Sequence, residues 1–295
     1  MNEGYRRTEK PGEFFLVTHY LSRRLAYPLA LLFRRLGLSA NAVTVLGGLC
    51  WLASVPAAAA AGALARAGRP GGAWAALLAA AALWNAGYLL DVVDGSLARL
   101  TGTGGPAGFF LDFSFHLLFS PMFLCSLGVC FTLATGSPFF AALAVLSIGA
   151  NWGVSFSAKE HVLCEALARR QYQPGRLTPQ EEYELFIDSP RLKAPVAAKR
   201  RGRELWRRLV EEVFCFPGQF TLFSLVALAD FLLRGRFGLQ WPLLKTAFVV
   251  SAAVMLARVP FRLRREWRTL RRYEAAFGPL AYIVTYLVVD PLFII

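Results

Sequence analysis

Residues 91–116 read DVVDGSLARLTGTGGPAGFFLDFSFH, and they interrupt one of the most apolar parts of a 295-residue chain that is 56% hydrophobic and 17% charged. Asp91 and Asp94 are three apart and share one helix face; Asp112 and His116, four apart, share a face of the next helix. Gly102, Gly104, Gly105 and Pro106 mark a short connection between them, so two antiparallel helices are predicted whose four polar side chains converge. Ionisable groups at membrane depth are expensive, and a set at such spacing points to a pathway, a partner or a reaction.

Outward from this stretch, apolar runs of about 20 residues recur, the length needed to cross a hydrocarbon core of roughly 30 Å. Six are read, near 41–64, 71–93, 108–133, 138–163, 213–233 and 239–260. A shorter run, 278–295, is broken by Asp290 and Pro291 and is compatible with a span, a re-entrant segment or a surface helix. The fold expected is all-α and integral to the membrane: six transmembrane helices preceded by an interfacial amphipathic helix, with an extra C-terminal membrane segment left open. The Leu- and Phe-interleaved arginine pairs 23/24 and 34/35 carry the expectation of the interfacial helix, and Ser39 and Asn41 are candidate caps for the first span. Three regions follow: 1–37; a transmembrane unit, 38–260, with a polar cytoplasmic insert at about 167–212; and a basic then apolar segment, 261–295.

The net charge of +13 invites a nucleic-acid reading, which the placement of the cations opposes. On the six-span reading 27 of the 32 Lys and Arg lie on one side, with only Arg66, Arg69, Arg234 and Arg236 in the opposite loops and Lys245 within a span. This is the positive-inside pattern, so both termini are expected in the cytoplasm and the protein in the inner (plasma) membrane. Basic clusters such as RLRREWRTLRR then rest against anionic headgroups, and no nucleic-acid recognition motif accompanies them. The five cysteines show neither CxxC pairing nor metal spacing and read as apolar packing.

Three carboxylates gathered in a poorly solvated site repel one another unless cations neutralise them, and hard divalent ions take oxygen ligands. Two such ions suit a phosphate or diphosphate substrate. Gly95 and Gly108 allow close backbone approach, and Arg99 offers charge-assisted hydrogen bonds to phosphate.

At these residues the chain resembles the CDP-alcohol phosphotransferases, whose motif is D-x-x-D-G-x-x-A-R-x8-G-x-x-x-D-x-x-x-D. Asp91, Asp94, Gly95, Ala98, Arg99, Gly108 and Asp112 stand at the matching positions, seven of the eight. LSANAVT at 38–44 is similar to the family's l-t-P-N-x-v-T, with Ala40 for Pro, and SFSAKE at 155–160 looks like its S-Y-x-x-A-R region. The resemblance covers about residues 20–260. It implies transfer of the substituted phosphate of a CDP-alcohol, such as CDP-diacylglycerol, to an acceptor alcohol with release of CMP, in a protein that is commonly a homodimer. It also implies two divalent cations, Mg²⁺ or Mn²⁺, held by Asp91, Asp94 and Asp112, and nucleotide contacts from Asn41, Thr44, Asp94, Gly95, Ala98, Arg99 and Gly108.

The departure is His116, which stands where the family places its base. An imidazole is a competent base and also a metal ligand, and it favours Mn²⁺ or another transition metal over Mg²⁺. Losing one carboxylate weakens the hold on a second dication. The expectations that remain open are a working base or ligand at His116, a relative that binds CDP-lipid without turnover, or a base elsewhere. Lys159, Glu160 and His161 are candidates for an acceptor pocket, and His19 for a headgroup contact. A transporter with an intramembrane acidic site is a third class of function, disfavoured by acidic residues that crowd one membrane face instead of the midplane.

Overall fold

The computed structural model describes residue 5 and residues 16–119, 121–152, 216–238 and 240–277, and the described residues hold helices and turns without a strand. A π-helical turn, Thr18–Ser22, leads into α1 (Arg23–Arg35). There follow α2 (Ala40–Arg66), α3 (Pro70–Thr101), α4 (Pro106–Phe119), α5 (Met122–Thr135) and α6 (Phe139–Trp152); beyond the undescribed stretch lie α7 (Phe216–Leu232), the short α8 (Arg234–Phe237) and α9 (Pro242–Phe277).

The helix ends obey local chemistry. Ser39 caps α2, its Oγ accepting from the Ala42 N–H at 3.2 Å. Gly102, at φ +66°, ends α3 in the left-handed conformation that only glycine adopts without steric penalty. Asp230 closes the start of α9 from outside it: its carboxylate accepts from the Leu243 N–H at 3.2 Å and the Leu244 N–H at 2.8 Å.

Packing centres on α2, which lies against α3, α4 and α5; α3 also meets α1 and α7, and α9 meets α6 and α7. Small residues let the backbones approach, as in other membrane bundles. A Cβ on Gly62 would lie 2.3 Å from the carbonyl oxygen of Cys130 in α5, and one on Gly87 would lie 2.4 Å from Trp51 Nε1. Trp51 instead donates from Nε1 to the Trp84 carbonyl at 3.2 Å. Buried polar bridges cross the same contacts: Ser54 Oγ lies 2.8 Å from Ser126 Oγ between α2 and α5, and Asn85 Nδ2 donates to Ser224 Oγ at 2.6 Å between α3 and α7. Large apolar side chains face outward, among them Leu49, Val145, Leu146, Leu225 and Val250, each more than half exposed. That is the surface a hydrocarbon solvent requires.

Among the described residues, three helical stretches are long and apolar enough to cross a membrane: Ala40–Arg66, Pro70–Thr101 and Pro242–Arg264. Met122–Thr135, Phe139–Ala150 and Gly218–Leu232 are apolar but shorter. The run at 108–133, read from sequence as one span, is two helices, because Pro121 at the start of α5 has no N–H to continue the ladder of α4. The basic segment after 260 continues α9 to Phe277 as one helix. α1 is amphipathic as expected, yet its arginine pair divides. Arg23 is 8% exposed and lies with Ala26 and Ala30 on the buried side of α1, while Arg24 is exposed. The insert at 167–212 and the run at 278–295 lie outside the described residues.

Candidate functional site

The site forms where the last turns of α3 meet the middle and last turns of α4 beside α2. The helix of α3 persists through Asp91 and Asp94 to Thr101, since Val92, Val93 and Leu97 bury the face between them. α4 rests on α2, where Phe115 fills the space above Gly48: a Cβ there would lie 2.3 Å from the Phe115 ring. That packing fixes the rotation of α4, and with it Asp112 and His116.

Three of the four predicted side chains come together. His116 Nε2 lies 2.8 Å from Asp91 Oδ1 and 3.3 Å from Asp112 Oδ1. One ligand atom from each of the three lies within 4.8 Å of the other two, a spacing that suits one metal ion. Asp112 Oδ1 is sealed from solvent yet makes no hydrogen bond, and the His116 nitrogen is an ion-pair neighbour only. A buried carboxylate oxygen in that state is the kind a cation satisfies. The Trp51 ring, centroid to centroid 6.0 Å from the imidazole, walls the cluster on the α2 side.

Asp94 is set apart from this trio. It is 6% exposed, and its Oδ2 accepts from Thr44 Oγ1 at 2.5 Å, so the fourth predicted ligand is tied to α2. Thr44, expected among the nucleotide contacts, also approaches the Ala40 carbonyl at 3.2 Å. Asn41 and Gly108 face each other across the α2–α4 contact: a Cβ on Gly108 would lie 3.4 Å from Asn41 Oδ1. On α3 the exposed Arg99 folds back along its own helix, its Nη1 standing 3.4 Å from where a Cβ of Gly95 would be, and Ala98 is half-buried next to it.

The glycines therefore divide into two kinds. Gly48, Gly62 and Gly87 are required by close packing, since a Cβ would meet its neighbour at 2.5 Å or less. Gly95 and Gly108 are not, because the nearest atoms are flexible side-chain tips at 3.4 Å. Glycine inside a helix costs about 1 kcal/mol relative to alanine. At these two positions the cost leaves open backbone beside Arg99 and Asn41.

One connection was not anticipated. Tyr88, one turn before Asp91, is hydrogen-bonded through its hydroxyl to Thr18 Oγ1 in the π-helical turn. Tyr88 also packs against Phe220 of α7 at a centroid distance of 6.1 Å. The N-terminal segment is thereby tied to the helix that carries the carboxylates. A polar aromatic three residues before Asp91 was the available sequence signal. His19, the expected headgroup contact, stands edge-on to Tyr20 at 4.8 Å. Lys159, Glu160 and His161 lie outside the described residues. Compared with known proteins, the chain matches no family model and no curated protein.

Proposed function

We propose that the chain is a membrane-embedded phosphotransferase that moves the substituted phosphate of a CDP-alcohol to an acceptor alcohol and releases CMP. The observation that carries this reading is the cluster of Asp91, Asp112 and His116, whose ligand atoms lie within 4.8 Å of one another around a carboxylate oxygen left without a hydrogen bond. The open backbone at Gly95 and Gly108, next to Arg99 and Asn41, supports a nucleotide diphosphate as the ligand beside it.

In this reading the acceptor hydroxyl attacks the phosphorus that bears the donor alcohol. A new P–O bond forms, the P–O bond to CMP breaks, and CMP leaves with the electron pair. The hydroxyl proton passes to a base, for which His116 is the residue at the motif position. Asp91 and Asp112 would hold a divalent cation, with Asp94 as the further carboxylate of the motif; such a cation polarises phosphate oxygens and offsets their charge. His116 would serve either as a third ligand or as the base, since a metal-bound imidazole nitrogen has no lone pair left for a proton. Arg99 supplies charge-assisted hydrogen bonds to the diphosphate. The reading assigns six spans, an interfacial α1, a site on the cytoplasmic face of the inner membrane, and a homodimer.

A second reading, binding of CDP-linked lipid without turnover, is favoured by one feature. His116 Nε2 stands against both Asp91 and Asp112, within 3.3 Å of each, in the space a cation would need.

The test is CMP release by purified protein in lipid nanodiscs. CDP-diacylglycerol is supplied with inositol phosphate, glycerol phosphate, serine or inositol as acceptor, under Mg²⁺ and under Mn²⁺. Acceptor-dependent CMP release supports the transferase, and its loss in Asp91→Asn ties it to the cluster. CDP binding that Asp94→Asn abolishes, without CMP release under any acceptor, moves the conclusion to the binding protein. Absence of both CDP binding and release overturns both readings.

A further inference from the structure

We propose that a groove at the opposite end of the bundle is a docking site for an anionic phospholipid of the adjoining leaflet, with its phosphate at Arg234 and an acyl chain in the groove. The groove encloses about 550 Å³ and is lined by Trp74, Ala75 and Leu78 of α3 and Phe231 of α7, with Arg234 at its rim. That volume lies within the range of roughly 300–1,000 Å³ typical of small-molecule pockets. Pro70, on the same rim, precedes Asp91 by 21 residues of continuous helix, about 30 Å at roughly 1.5 Å per residue. The groove is thus separate from the acidic cluster, and the inference does not depend on the transferase reading.

Two observations choose the occupant. The first is the coupling of the cation to the apolar floor. Arg234 Nη1 donates to the Phe231 carbonyl at 3.0 Å, and its guanidinium carbon lies 4.2 Å from the centroid of the Phe231 ring. Phe231 and Arg234 both line the groove, so an apolar ring and a cation stand side by side there, as the acyl chain and the phosphate do in a phospholipid. That hydrogen bond uses one of the five N–H donors of a guanidinium, a group suited to phosphate.

The second is charge. The connections at this end, together with the last residue of α2, contain Arg66, Arg69, Arg234 and Arg236 and no Asp or Glu. The nearest carboxylate in sequence, Asp230, is 1% exposed and accepts the backbone N–H groups of Leu243 and Leu244. A phosphate at the rim meets cations without a competing anion. A soluble anion would leave the apolar groove unused, and a neutral lipid would leave the arginine unused.

The test is native mass spectrometry of the full chain released from micelles, titrated with phosphatidylglycerol or phosphatidylcholine. The expected result is retention of one phosphatidylglycerol at concentrations where phosphatidylcholine is not retained. Arg234→Gln is expected to weaken that retention about tenfold, as for loss of one charge-assisted contact. Ala75→Phe, which fills the groove and keeps every arginine, is expected to weaken it comparably, with thermal unfolding confirming that each variant is folded. Arg24→Gln, on α1 at the other end of the bundle, is expected to cost less than Arg234→Gln. Equal retention of the two lipids, retention unchanged in Arg234→Gln, or an equal loss in Arg24→Gln overturns the proposal.

Discussion

Thr44 Oγ1 donates to Asp94 Oδ2 at 2.5 Å, joining α2 to α3 at a carboxyl group that is 6% exposed. Asp91, one turn earlier on α3, pairs instead with His116 on α4. The two aspartates of one motif are thereby committed to different neighbours.

Thr44→Val keeps the shape of the side chain and removes the donor, leaving the Asp94 carboxyl buried without it. The expected loss is about 1–3 kcal/mol, the penalty for a buried polar group deprived of its partner. Thermal unfolding in micelles reads this as a lowered midpoint, and Thr44→Ser is expected to restore it. If Asp94 also contacts the nucleotide, CDP affinity falls in the valine variant and recovers in the serine variant. An unchanged midpoint in Thr44→Val would show that the hydrogen bond adds nothing to stability.

The two kinds of glycine are separable by one substitution each. Gly62→Ala sets a Cβ 2.3 Å from the Cys130 carbonyl oxygen, which is backbone and has no room to yield, so α2 and α5 must move apart. Overpacking of this sort costs typically 1–3 kcal/mol. Gly95→Ala meets only the tip of Arg99 at 3.4 Å and gains helix propensity, an advantage of about 0.5–1 kcal/mol. The expected outcome is a lowered unfolding midpoint for Gly62→Ala with CDP binding retained by the folded fraction. For Gly95→Ala the midpoint is expected to hold or rise while CDP affinity falls at least tenfold. Full CDP affinity in Gly95→Ala would remove the glycine from the proposed nucleotide site.

Much of this arrangement was legible in the sequence, and what was not has a physical cause. The lengths of α2 and α3, the Ser39 cap and the Gly102 stop follow from apolar run length and terminal chemistry. The convergence of Asp91, Asp112 and His116 follows from the i,i+4 spacing of Asp112 and His116 and from the short connection that sets their helix against the one carrying Asp91. The separate fate of Asp94 does not. Residues three apart on a helix are offset by roughly 60°, enough for one to face α4 and the other α2. Which of them does so is set by Thr44, 50 residues away in sequence. The burial of Arg23 was equally hidden, because periodicity shows that α1 has two faces without showing that α3 covers one of them. The break at Pro121 was masked by an apolar composition that continues through it.

Replacing His116 tests the metal preference of the cluster. Its Nε2 stands within 3.3 Å of oxygens from both Asp91 and Asp112, so the trio offers two carboxylates and one nitrogen. Nitrogen ligation favours Mn²⁺ over Mg²⁺, whereas an all-oxygen set suits Mg²⁺. Mn²⁺ binding, followed by electron paramagnetic resonance on the full chain in nanodiscs, is expected to outcompete a tenfold excess of Mg²⁺ in the wild type and to lose that advantage in His116→Asp. His116→Ala is expected to retain CDP and lose turnover. Full turnover in His116→Ala would place the base elsewhere, and identical competition curves for wild type and His116→Asp would remove the imidazole from the metal's ligands.

The cap on α9 offers a test of the scaffold that is independent of any chemistry. Asp230 is 1% exposed and accepts two backbone N–H groups, from Leu243 and Leu244, that the helix itself cannot satisfy. Pro242 before them has no N–H to offer, so these are the first donors of α9. Asp230→Ala leaves both donors, that of Leu244 buried and that of Leu243 part-buried, at the start of a 36-residue helix that packs on α6 and α7. Loss of a capping side chain costs roughly 0.5–2 kcal/mol, and burial argues for the upper end of that range. Asp230→Asn keeps one acceptor oxygen and is expected to recover part of the loss. Thermal unfolding in micelles measures both variants, and hydrogen exchange at Leu243 and Leu244 is expected to accelerate in Asp230→Ala while exchange in the middle of α2 does not. Accelerated exchange spread evenly over the bundle would mean that the variant unfolds as a whole and that the cap is not a local device.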